Sequence, residues 1–79
     1  MSKIYSKIET LNYINEELQK RNITKSDLVI ILKITYSAVC RKLSGNRDFT
    51  IQELIILADF FDMDLMKLLQ FKDGDIYGI

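Results

Sequence analysis

Between Tyr36 and Arg47 the chain gathers groups that can bind a polyanion and read hydrogen-bonding edges: Tyr36, Ser37, Cys40, Arg41, Lys42, Asn46 and Arg47. Arg41 has the most specific chemistry on offer. Its guanidinium can donate to O6 and N7 of one guanine together, a pair worth about 1–3 kcal/mol of base discrimination; the plainer readings are a phosphate contact or a solvated arginine. Tyr36 can pack on a thymine methyl, bond a phosphate, or lie half buried over the turn that precedes it. Ser37 is small enough to permit close approach. Cys40 stands beside two cations, so it is either a thiol with a favoured thiolate or a small residue tolerated on that face. Catalytic chemistry is poorly supplied. The chain has no His, one Cys, no glycine-rich phosphate loop and no residues at metal-ligand spacing. Asp73-Gly74-Asp75 lacks the other ligands of a calcium loop. The expectation is therefore no enzyme, no metal and no cofactor.

The formal net charge is zero, yet its distribution is uneven. Residues 20–47 hold Lys20, Arg21, Lys25, Lys33, Arg41, Lys42 and Arg47 against Asp27 alone, whereas residues 48–79 hold two lysines against seven acids. A local positive field of this kind neutralises phosphates and releases counterions, with the acidic half turned away from the polyanion. The alternative is a mixed, solvated surface. Coincidence of the positive stretch with the groups above favours the first reading.

Helical periodicity supplies the elements that must hold these groups. Ile8, Leu11, Ile14 and Leu18 form one stripe of a first helix over about Lys7 to Lys20. Thr24 can cap a second, from about Lys25 to Leu32, with Leu28, Val29 and Leu32 inward; Thr35 can cap a third, from about Tyr36 to Ser44, with Val39 and Leu43 inward. Two or three residues separate the pair, so the helices must cross steeply and leave Tyr36, Ser37, Cys40 and Arg41 facing outward. Gly45 suits a left-handed C-terminal cap. Thr50 and Glu53 make a capping box for a fourth helix to about Phe61, with Leu54, Leu57, Ala58 and Phe61 inward. Asp64 caps a short fifth carrying Leu65, Leu68 and Leu69, and residues 72–79 read as a flexible tail.

The stretch ITKSDLVIILKITYSAVCRKLSG, from Ile23 to Gly45, resembles the XRE-type DNA-binding domain of the lambda repressor and Cro family. The likeness covers roughly residues 8 to 70 and rests on Thr24, the Leu28-Val29 pair, Gly45, Arg47 and the two helices from Leu54 to Leu69. It implies an all-α, five-helix lambda-repressor-like domain acting as a phage-like repressor or Cro-type transcriptional regulator on double-stranded DNA. By the same resemblance, Tyr36, Ser37 and Arg41, with Cys40 close by, would read bases, while Lys25, Thr35, Lys42, Asn46 and Arg47 would touch phosphates. It also implies a homodimer whose third helices lie about 34 Å apart, one turn of DNA. The chain departs from the family pattern at Lys33 and Asp62, where glycines are common. Lysine tolerates a positive φ poorly, which predicts a reshaped turn.

At 79 residues the chain buries about 60 to 65% of its unfolded surface, enough for one domain and one core. A lone Cys40, with no secretory signal before the first helix, points to the cytoplasm. No apolar run reaches the roughly 18 residues of a membrane span. Ile30, Ile31, Ile56 and Phe60 are apolar at positions that the family usually fills with polar groups. They either enlarge a small core or form a surface for a protein partner, such as that of a phage-encoded inhibitor or antitoxin-like module.

Overall fold

Five helices follow one another with short connections in a computed structural model that describes residues 3–4, 6–70 and 72–73, and side chains for 6–70. They are α1 (Lys7–Lys20), α2 (Lys25–Leu32), α3 (Tyr36–Leu43), α4 (Ile51–Phe60) and α5 (Leu65–Leu69). The fold class is all-α. Two short strands, β1 (Lys3–Ile4) and β2 (Lys72–Asp73), pair antiparallel with Lys3 opposite Asp73 and Ile4 opposite Lys72. Residues 72–73 are thus tied to the N-terminal end, unlike the loose tail expected there. The rest of that tail, including Gly74 and Asp75, lies outside the described residues.

Each helix starts where a short polar side chain can accept from an orphan backbone N–H. The hydroxyls of Ser6, Thr24, Thr35 and Thr50 accept from the backbone N–H groups of Glu9, Asp27, Ala38 and Glu53, and the Asp64 carboxylate accepts from that of Lys67. Reciprocal capping boxes form at Thr24 with Asp27 and at Thr50 with Glu53. Three helices also end alike. Asn22, Gly45 and Asp62 each take a positive φ, near 57°, 88° and 59° respectively. The paired closing bonds run from Asn22 N to Gln19 O and Ile23 N to Leu18 O; from Gly45 N to Lys42 O and Asn46 N to Arg41 O; and from Asp62 N to Asp59 O and Met63 N to Ala58 O. These are Schellman closures, which turn the chain sharply and satisfy terminal carbonyls.

The inward faces meet in one core of Ile14, Leu18, Leu28, Leu32, Val39, Leu43, Leu54, Leu57, Ala58, Phe61, Leu68 and Leu69. Helix α1 packs on α5, α4 packs on both α5 and α2, and α2 packs on α3. One expectation for α1 is corrected. Ile8 is 72% exposed, and the buried stripe is instead Thr10, Ile14, Glu17 and Leu18. The reason is polar: the Thr10 hydroxyl donates to the Leu69 carbonyl, while Glu17 accepts from Lys20 Nζ and Arg21 Nε, the latter at 2.9 Å. The Thr10 bond to α5 turns the buried stripe toward Thr10 and Glu17.

Candidate functional site

Helix α3 is held on three sides. Val39 and Leu43 enter the core, its N-terminus is capped by Thr35, and at its C-terminus the Asn15 side-chain amide donates to the carbonyl of Leu43 at 3.3 Å. The turn before it contains Lys33 in the left-handed conformation, at φ 57° and ψ 46°, with Ile34 packed against the core. Lysine simply takes the conformation that glycine takes more easily, and surrounding packing carries the cost of roughly 1–2 kcal/mol.

What remains of α3 faces solvent. Tyr36, Ser37 and Arg41 are exposed, Cys40 is half buried, and Thr35 is exposed beside its capping bond. Lys25 at the start of α2 and Asn46 and Arg47 after α3 are exposed as well. Among the described residues, Lys25, Lys33, Arg41 and Arg47 form no ion pair, whereas Lys7, Lys20, Arg21 and Lys42 are all paired with acids. Among residues 6–70, whose side chains are described, Lys67 on α5 is the only other cation without one. Uncompensated positive charge therefore gathers on α2, α3 and the turns at either end of α3.

Lys42 needs correction as a phosphate contact. Its side chain is buried, and Nζ donates to Glu53 Oε1 at 2.5 Å, while the same oxygen accepts the Thr50 backbone N–H at 2.8 Å. The ammonium also sits 6.0 Å from the centre of the Phe49 ring. Spacing carries the signal for this: Lys42 lies three residues after Val39, on the same side of α3, and so turns inward. A charge buried so deeply requires a partner, and Glu53 supplies one. Desolvation pushes the Glu53 carboxyl up, but hydrogen bonds from Lys42 and Thr50 together with the Lys42 charge outweigh it and leave its pKa below the ordinary 4.5. One carboxylate thereby locks the last turn of α3 to the first turn of α4.

Two basic groups near the site stand outside the contact set expected from the sequence. Lys7, distant in the chain, forms an ion pair with Asp48 and donates to the Gly45 carbonyl at 3.4 Å, which brings the N-terminus of α1 to the end of α3. Lys33, part of the positive stretch but not of the expected contact set, is an exposed, unpaired cation in the turn before α3. Only tertiary placement reveals Lys7, while the position of Lys33 between the two helix patterns was visible.

The four apolar residues suspected of forming an interface divide. Ile31 and Ile56 are half buried against the core, whereas Ile30 is 76% exposed and Phe60 49% exposed, its ring edge-on to Phe61 at 6.3 Å. Ile51 and Ile55 join them as exposed residues on α4, at 61% and 50%. Their position was readable, since both fall outside the inward set of Leu54, Leu57, Ala58 and Phe61. Among the described residues, no group of three His, Cys, Asp or Glu could hold a metal ion, and no helix is long and apolar enough to cross a membrane. The chain matches no protein-family model, no curated protein and no solved structure.

Proposed function

We propose that this chain is a sequence-specific DNA-binding transcriptional regulator, a phage-like repressor or Cro-type protein of the cytoplasm, that reads the major groove with α3. The supporting observation is the gathering of unpaired cations, Lys25, Lys33, Arg41 and Arg47, around a helix whose outer face is exposed and whose inner face is fixed. Arg41 is assigned to a base, with Tyr36, Ser37 and Cys40 lining the contact. Lys25, Lys33 and Arg47 neutralise phosphates, with Thr35 and Asn46 donating hydrogen bonds beside them. A homodimer on a two-fold symmetric operator would set its recognition helices about 34 Å apart.

Titration of a duplex at several salt concentrations tests this. Each phosphate neutralised contributes a slope of about −0.9 in log K against log salt, so three cations per chain give about −3. Absence of binding at low salt would refute the reading. A second reading is supported by Ile30 and Phe60, whose exposure suits a protein-interaction module. That reading predicts a stable heterologous complex, insensitive to salt and lost in Phe60→Asp.

A further inference from the structure

At the end of α3 an acid stands inside the basic surface. Asp48 is the only acidic residue between Thr35 and Thr50, and it is exposed directly after Asn46 and Arg47, two residues assigned above to phosphates. The loop that carries it is held to α3, since the Arg41 carbonyl accepts from the backbone N–H groups of both Asn46, at 2.9 Å, and Arg47, at 3.2 Å. The carboxylate is engaged by Lys7, whose ammonium also donates to the Gly45 carbonyl at 3.4 Å. Lys7, Arg47 and Asp48 line one small cavity together with Leu11 and Phe49, so the start of α1 reaches the same edge of the surface.

We propose that Lys7 is a further phosphate-contacting residue whose charge Asp48 holds in the free protein, and that binding exchanges the Asp48 carboxylate for a phosphate of the duplex. The inference rests on the DNA reading and adds to it a residue and a control on affinity. Little opposes the exchange. The side chains of Lys7 and Asp48 are 50% and 76% exposed, and an ion pair so open to water contributes little in the free chain. The flexible stem of lysine lets the ammonium swing away from Asp48 without moving the backbone, and its three donors let it keep the Gly45 carbonyl while taking a phosphate oxygen. Asp48 then needs no new partner, because water hydrates it. The Lys42–Glu53 pair, buried on both sides, has no such freedom, which singles out Lys7 among the paired cations at this end of α3.

Asp48 thereby lowers affinity in two ways. In the free protein it competes for Lys7, and in the complex its charge remains beside Arg47, facing the phosphates. Neither effect touches a base, so binding to all duplexes is weakened alike. Lys7 joins Lys25, Lys33 and Arg47 as a fourth neutralising cation and steepens the fall of log K with log salt by about 0.9.

A double-mutant cycle of Lys7→Gln and Asp48→Asn tests the exchange, read by fluorescence anisotropy on two short duplexes of unrelated sequence at several salt concentrations. Asp48→Asn should tighten binding to both duplexes. Lys7→Gln should weaken it and make the salt slope shallower by about 0.9. The exchange itself shows in the coupling. Lys7→Gln should lose about two- to five-fold more affinity in the Asp48→Asn chain than in the parent, because only in the parent must the lysine first give up a carboxylate. Additive effects overturn the proposal, since they describe two charges acting at a distance or a pair that stays closed on DNA. An unchanged salt slope in Lys7→Gln overturns it as well. Both groups are exposed, so the variants should keep the helical circular dichroism of the parent; should Asp48→Asn unfold, Asp48→Ser replaces it. Absence of binding by the parent at low salt refutes the DNA reading and the exchange with it, whereas a parent that binds, with additive variants, overturns the exchange alone.

Discussion

Arg41 and Lys42 are neighbours with opposite placements, one exposed and one buried, because one residue of helix turns a side chain by about 100°. Arg41→Ala should relax sequence preference by about 1–3 kcal/mol at one base position, while Lys25→Ala should weaken binding to all duplexes alike. Anisotropy titrations on an operator and an unrelated duplex separate these outcomes, and equal losses from both changes would contradict the assignments. Lys42 acts on stability instead. Lys42→Met leaves the Glu53 carboxylate buried without its cation and should lower stability by about 3 kcal/mol in chemical denaturation. Glu53→Gln added to Lys42→Met should recover much of that loss, since glutamine still serves the capping box and carries no charge. Acid sensitivity follows from the same group. The pKa of Glu53 and that of Glu17 both lie below the ordinary 4.5 in the folded state; for Glu17 the Arg21 hydrogen bond leads, against desolvation, with Lys20 adding to it. The stabilisation they bring is complete above the unfolded value near 4.5 and disappears as pH falls through the folded value. Melting temperature should therefore drop below about pH 4.5, less steeply in Lys42→Met/Glu53→Gln.

At the scale of elements, the helix ends carry much of the definition of this fold. Gly45 occupies a positive φ with Leu11 Cδ2 at 3.4 Å from where a Cβ would stand, so Gly45→Ala should lower stability by about 1–2 kcal/mol. Lys33 is the converse case. Lys33→Gly should relieve left-handed strain and raise stability by up to about 1 kcal/mol, partly offset by the greater chain entropy of glycine when unfolded. Thermal melts of the two variants, shifting in opposite directions, check both. The helices were largely legible because their caps are local: Thr24, Thr35, Thr50 and Asp64 each accept from a backbone N–H three residues onward, a relation held within one turn. The burial of Lys42 was less legible, since its acid lies eleven residues away across a loop. Ile8 misled because its spacing fits the α1 stripe, while the Thr10–Leu69 bond that shifts the stripe joins residues far apart in sequence. Asn22 and Asp62 close helices as Gly45 does, but only glycine announces that conformation strongly.

Over the whole molecule, zero net charge conceals a polarised arrangement. Within residues 6–70, most cations outside α2, α3 and the turns flanking α3 are spent in pairs, Lys7 with Asp48 and Lys20 and Arg21 with Glu17, and burial of Lys42 removes another from the surface. The positive segment was visible in the sequence as a run from residue 20 to 47, but which of its charges remain free depends on tertiary pairing. Those left exposed and unpaired, Lys25, Lys33, Arg41 and Arg47, are the ones the proposed DNA contact uses. Selection from a pool of random duplexes at two salt concentrations, followed by sequencing, tests that contact most directly. A two-fold symmetric motif should be enriched, with half-sites one helical turn apart and an affinity that falls steeply as salt rises. Recovery of unenriched sequences with little binding even at low salt would contradict it.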